Sequence, residues 1–147
     1  MTLSQVYFYM IIIIYLALNL MIMTFTEDLK EEKRFTKLYK FTFLIGLIGI
    51  IMELLNWNFL CRFQCVLITF SPFITLNIIK GIMLFFEKVF KKVPYQTYRG
   101  KLSDGIWIEN KGDLKHKNYY DMYTFSIMVL PIFILAGLFI LIKENLC

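Results

Sequence analysis

The sequence predicts an all-α integral membrane protein with four transmembrane helices, and its composition is the first observation behind this prediction. The 147 residues are 59% apolar and 18% aromatic, with only 18% charged and a mean hydropathy of +0.63. Soluble domains are about 45 to 50% apolar and about 25% charged. A chain this short has too little interior to bury such an excess of apolar side chains. The composition therefore excludes a water-soluble globule, and three cysteines are too few for a disulfide scaffold.

The second observation is the length of the apolar stretches. A hydrocarbon core of about 30 Å needs roughly 20 helical residues. Four stretches meet this requirement, at residues 7–24, 38–57, 63–80 and 122–142. Asn19 is the only strongly polar residue of the first, and Glu53 lies in the second. Because backbone polar groups must be paired internally in hydrocarbon, we expect all four stretches to be helices.

The third observation is the distribution of basic residues, which predicts the orientation of the helices because short cytoplasmic loops are enriched in Lys and Arg. Thirteen of the 16 Lys and Arg residues lie between the first and second spans, with Lys40 at the start of the second counted among them, or between the third and fourth. We therefore expect 25–37 and 87–121 to be cytoplasmic, both termini to be outside, and residues 1–147 to form one transmembrane domain. The net charge of +5 then reflects basic loops at an anionic membrane surface.

The long connection after the third span begins with an amphipathic stretch. Either this stretch is a separate helix at the inner membrane interface, or the third span continues while the Lys80 side chain reaches toward the head groups. Pro94 ends it, and Asp104-Gly105 predicts a turn within a short β-hairpin. Trp107 is an apolar residue in an otherwise polar loop, so it covers the bundle, dips into the interface or contacts a partner.

These basic and aromatic residues are the predicted contact surface. We expect it to meet anionic lipid head groups and a cytosolic protein, without direct binding to nucleic acid. The candidate partner-binding and lipid-binding residues are Lys88, Lys91, Lys92, Arg99, Lys101, Trp107 and His116.

Residues able to carry catalysis or metal chemistry are sparse. His116 is the single histidine, and no nucleophile–base pair or phosphate-binding loop is present. We therefore predict no catalytic residues, no cofactor, no metal site and no enzymatic activity. Cys61 and Cys65 are one helical turn apart, and we expect free thiols, with a bridge from Cys61 to Cys147, particularly between subunits, as the alternative.

Glu53 is the notable charge within a predicted span. A carboxylate in a span often marks an ion path or a buried charge pair. Because Glu53 lies one turn before Trp57, near the predicted outer interface, we expect an ion pair between Glu53 and Arg62. The alternative is a role in transport.

Three smaller patterns predict local contacts. Glu31 and Arg34 have the i,i+3 spacing of a helical ion pair. Gly46 and Gly49 allow close approach of another helix. Three tyrosines before the fourth span resemble anchors at the membrane interface, namely Tyr119, Tyr120 and Tyr123.

Taken together, these features predict a non-enzymatic, multi-pass protein of the bacterial inner membrane. We expect it to form homo-oligomers and to anchor or sense for a cytosolic partner. One alternative is a small pore-forming effector, or an immunity or phage-defence component. Another is an accessory subunit of a larger membrane complex.

Overall fold

A computed structural model describes residues 3–57, 59–91, 94 and 117–146. This part of the chain is helical, with four long helices: α1 (Leu3–Thr24), α2 (Glu32–Leu54), α3 (Gln64–Phe90) and α4 (Lys117–Leu146). A short 3₁₀ helix, Thr26–Lys30, joins α1 to α2. All four long helices are long and apolar enough to cross a membrane, which confirms four candidate helical spans in the described part of the chain.

The central element is α3, which contacts each of the other three long helices. It runs antiparallel to α2, because Tyr39 contacts Phe73 whereas Phe43, further along α2, also contacts the earlier Phe70. It also runs antiparallel to α4, since Phe86 near the end of α3 contacts Tyr119 near the start of α4. The chain thus crosses back and forth around α3, with short connections between α1, α2 and α3.

The main hydrophobic core lies toward the end of the bundle where α1 meets the 3₁₀ helix and α3 meets α4. Leu76, Ile79, Tyr123 and Ile127 are fully buried in it. A smaller cluster of Phe8, Met52 and Cys65 lies toward the opposite end. In α4, no described residue after Pro131 is buried, so the second half of this helix leaves the core.

The tightest helix contact joins α2 to α3. A Cβ atom added to Gly49 would lie 1.8 Å from Thr69 Oγ1, and one added to Gly46 would lie 2.9 Å from Phe70 Cδ1. Thr69 Oγ1 donates to the Gly46 carbonyl oxygen at 3.2 Å. The predicted close approach at Gly46 and Gly49 is therefore confirmed, and its partner is α3.

The helix α3 continues without a break past Lys80 to Phe90. The structure therefore supports continuation of the third span over a separate interfacial helix. Lys91 ends α3 in a left-handed conformation, with φ of 54°. A non-glycine residue in this conformation costs about 1–2 kcal/mol, so the end of the helix is held against a local backbone preference.

The connection between α2 and α3 corrects one expectation. Cys61 is disulfide-bonded rather than a free thiol. Cys65 is free, as expected, and it is buried. One turn of helix between two cysteines is poor geometry for a bridge, so their spacing correctly argued against a bond between them. It carried no information on a bond from Cys61 to a distant cysteine, and Cys147 lies outside the described residues.

Candidate functional site at the basic end of the bundle

The described cations are concentrated at one end of the bundle, which we call the basic end. It is formed by residues 25–40, by 80–91 and by the start of α4. Nine of the 11 described Lys and Arg residues belong to it, and only Arg62 and Lys143 lie toward the opposite end. The nine are Lys30, Lys33, Arg34, Lys37, Lys40, Lys80, Lys88, Lys91 and Lys117.

The turn between α1 and α2 is held by ion pairs of Arg34. Its Nε donates to Glu31 Oε2 at 2.6 Å, which confirms the predicted i,i+3 pair. Its Nη1 also bonds Asp28 Oδ1, in the 3₁₀ helix. One guanidinium therefore links the 3₁₀ helix to the first turn of α2, although half-exposed pairs of this kind add only about 0–1 kcal/mol each.

Two of the predicted contact residues lie in the described part of the basic end. Lys88 and Lys91 are exposed at the end of α3, which places both charges in reach of a head group or a protein. Lys80 is half-buried, and its Nζ lies 5.1 Å from the centroid of the Phe35 ring, a cation–π contact that connects α3 to α2.

The other predicted contact residues lie outside the described residues, together with the proposed hairpin around Asp104-Gly105. These are Lys92, Arg99, Lys101, Trp107 and His116. Their role as a contact surface stays a prediction.

Below these charges, the start of α4 packs on the end of α3 through aromatic rings. Tyr119 lies 4.7 Å from Phe90, and Tyr123 lies 5.3 Å from Phe86, between ring centroids. Tyr120 is 8% exposed and Tyr123 is fully buried. The expectation of interfacial anchors is wrong for these two tyrosines, because both side chains are buried within the bundle, Tyr123 against Phe86 of the continued α3. At the basic end, the end of α3 and the start of α4 are therefore packed against each other.

A buried polar cluster joins α1 to α3. This cluster was not predicted from the sequence. Asn19 Nδ2 donates to Ser71 Oγ at 2.6 Å and to the Tyr15 carbonyl oxygen at 2.9 Å. Thr75 Oγ1 donates to Asn19 Oδ1 at 2.6 Å, and Ser71 Oγ donates to the Ile68 carbonyl oxygen at 2.6 Å. Each donor of the amide and the two hydroxyls therefore has an acceptor.

This cluster borders a cavity of about 580 Å³ between α1, α3 and α4. Asn19 and Ser71 are the polar residues in its wall, and the α4 side is lined by Ile132, Leu135 and Phe139. Because the polar donors are already used, the cavity presents a hydrocarbon-like surface. In the sequence, Asn19 stands out as the only strongly polar residue of its apolar stretch. Its partners Ser71 and Thr75 could not be predicted, because they lie 52 and 56 residues away along the chain.

Glu53 lies toward the opposite end, beside the connection to α3. Its Oε1 accepts a hydrogen bond from the Phe63 backbone N–H at 3.2 Å. The Arg62 guanidinium lies 5.5 Å from the Phe63 ring centroid. Glu53 thus caps the turn that leads into α3, and its ion pair with Arg62 stays a prediction.

The part of the chain that the structure describes contains no group of three or more His, Cys, Asp or Glu residues able to hold a metal ion. Comparison with models of known protein families, with curated proteins and with solved structures gives no match.

Proposed function

We propose that this chain is a non-enzymatic, multi-pass membrane protein that binds a cytosolic protein partner on its basic end and associates with copies of itself. The observation that carries the proposal is the concentration of nine of the 11 described cations at one end of the bundle. By the rule that cytoplasmic loops are enriched in Lys and Arg, this end faces the cytoplasm. A bacterial inner membrane is the membrane we propose.

The packing supports a docking role because the same end contains the main core. Phe86, in the last turns of α3, and Tyr123, in the second turn of α4, belong to this core, and Lys88 and Lys91 follow Phe86 within five residues. Exposed charges on rigid helix ends lose less freedom on binding than charges on a mobile tail. These charges can therefore orient a bound partner as well as attract it.

The surface of α4 supports self-association. In the most apolar 18 residues of this helix 11% of residues are buried, against 44% for α3. Ala136 and Gly137 are exposed, and a Cβ at Gly137 would meet no atom within 4 Å. Small residues at a membrane-facing helix surface let a second helix approach closely.

Purification of the full chain from its native membrane in mild detergent tests the docking proposal. We expect a cytosolic protein to co-purify, and to be lost from the double variant Lys88→Gln/Lys91→Gln and from a deletion of 95–117. The matched control is Lys143→Gln, which changes another exposed lysine, at the opposite end. Equal retention in all variants would contradict docking on the basic end.

Self-association is tested by the mass of the detergent-solubilised protein. Gly137→Leu is expected to lower the oligomeric state, whereas Gly81→Leu, at another position with open space around it, is the control. A monomer before substitution would contradict this part of the proposal.

The same protein in liposomes separates docking from the two alternatives. A pore would release a trapped dye and respond to Glu53→Gln, whereas a docking protein leaves the vesicles sealed. An accessory subunit would co-purify with other membrane chains in fixed stoichiometry.

A further inference from the structure

We propose that the basic end carries a binding site for one anionic phospholipid, with its phosphate between Arg34 and Lys37 and an acyl chain in the cleft between α1 and α2. This site is separate from the predicted contact residues and does not depend on a protein partner.

The deep part of the site is apolar. A cleft of about 190 Å³ lies between α1 and α2, and its walls include Leu18, Met21, Leu38 and Phe41. The hydroxyl of Thr42 also lines it but donates to the Tyr39 carbonyl oxygen at 3.1 Å. Because this hydroxyl donor is already used within α2, and the other wall residues apart from Asp28 are apolar, the cleft suits a hydrocarbon chain.

The apolar cleft leads to a charged mouth. A wider cleft of about 450 Å³ shares Leu38, Phe41 and Asp28 with the first, and adds Arg34 and Lys37. Apolar walls that end in cations fit an amphiphile with an anionic head, and the site lies where α1 and α2 meet the polar connection. A phospholipid is the amphiphile that the membrane itself supplies at this depth.

The charges at the mouth favour an anionic head group over a cationic one. Asp28 and Glu31 are both bonded to Arg34. These bonds use Nη1 and Nε, so further guanidinium N–H donors remain for a phosphate. Lys37 forms no ion pair with a carboxylate in the described part of the chain. A neighbouring cleft is lined by Lys33, Lys37 and Lys40 together with Glu31 and Glu32. With Arg34 and Asp28 of the charged mouth, four cations lie beside three carboxylates. The surplus charge beside the cleft is therefore positive.

Native mass spectrometry of the full chain in detergent tests the site with phosphatidylglycerol and phosphatidylcholine of identical acyl chains. We expect one phosphatidylglycerol to bind more tightly than phosphatidylcholine. Lys37→Gln is expected to weaken the binding of phosphatidylglycerol about fivefold, the effect of one cation near an anionic head group. Lys33→Gln, which removes the same charge one turn earlier outside the charged mouth, is expected to have a smaller effect.

The apolar half is tested by filling the cleft. Leu18→Trp is expected to abolish binding of both lipids at this site, whereas Ile13→Trp, at an exposed position outside the cleft, is expected to leave it unchanged. Far-UV circular dichroism checks that each variant keeps its helices.

Two results would overturn the proposal in favour of diffuse attraction. One is an equal loss of phosphatidylglycerol binding in Lys37→Gln and Lys33→Gln, and the other is unchanged binding in a folded Leu18→Trp variant. Competition of inorganic phosphate alone with the lipid, without dependence on Leu18, would show a free-anion site instead and would also overturn it.

Discussion

Replacing Gly49 by alanine is expected to disrupt the close contact between α2 and α3. The new Cβ would lie 1.8 Å from Thr69 Oγ1 and 2.9 Å from Thr69 Cβ, far closer than the 3.4–4 Å of ordinary contact. Thr69 is 2% exposed, and its hydroxyl donates to the carbonyl oxygens of Gly46 and Val66. It cannot move aside without loosening these bonds, so the helices must separate locally.

The expected cost follows from these contacts. Overpacking of a well-packed site costs about 1–3 kcal/mol, and loss of a buried hydrogen bond adds about 1 kcal/mol. The better helix propensity of alanine returns up to about 1 kcal/mol. We therefore expect Gly49→Ala to lower the free energy of unfolding by about 1–3 kcal/mol.

The assay is unfolding of the purified protein in mild detergent by titration with SDS, followed by circular dichroism. Gly81→Ala is the control, because a Cβ at Gly81 meets no atom within 4 Å. This control is expected to be unchanged or more stable by up to about 1 kcal/mol. Thr69→Ala in the Gly49→Ala background removes the closest atom, Oγ1, and is expected to recover part of the loss. Equal stability of the two alanine variants, or no recovery in the double variant, would refute the reasoning.

Two further predictions concern the buried polar cluster and the cysteines. Asn19→Leu is expected to destabilise the protein by about 1 kcal/mol in the same titration, because the Thr75 hydroxyl loses its hydrogen-bond acceptor. The control Asn77→Leu, which removes an exposed amide, should change stability less. Equal effects of the two substitutions would count against a stabilising role of the cluster. A soluble maleimide is expected to label Cys65 only after denaturation, because this residue is 1% exposed. It is expected to label Cys61 only after denaturation and reduction, because Cys61 is disulfide-bonded. Rapid labelling of either residue in the native, unreduced protein would contradict the prediction.

Only those features of the candidate site that follow from charge and from spacing along the chain could be predicted from the sequence. The Glu31–Arg34 pair follows from i,i+3 spacing on one helix. The second bond of Arg34, to Asp28, depends on the fold of the 3₁₀ turn. The apolar cleft beside Lys37 depends on how far α1 stands from α2, which no local pattern records.

Tyr120 and Tyr123 show how tertiary contacts override a local interpretation. Tyrosines next to an apolar stretch are typical of membrane interfaces. Here α3 continues beyond the expected end of the span, and its Phe86 packs against Tyr123, while Tyr120 is also buried. Hydropathy alone could not place that end, because residues 81–86 are as apolar as the span before them.

The sequence by itself determined that the chain contains four apolar stretches that form helices long enough to cross a membrane. The thickness of the hydrocarbon and the need to pair every backbone polar group there are set by the bilayer. It also determined the concentration of charge between alternate spans. Only the tertiary structure decided which helix is central, which polar groups meet and where clefts remain. Asn19, Ser71 and Thr75 find one another because α1 lies against α3, and such contacts depend on the shapes of whole helices rather than on any stretch of residues.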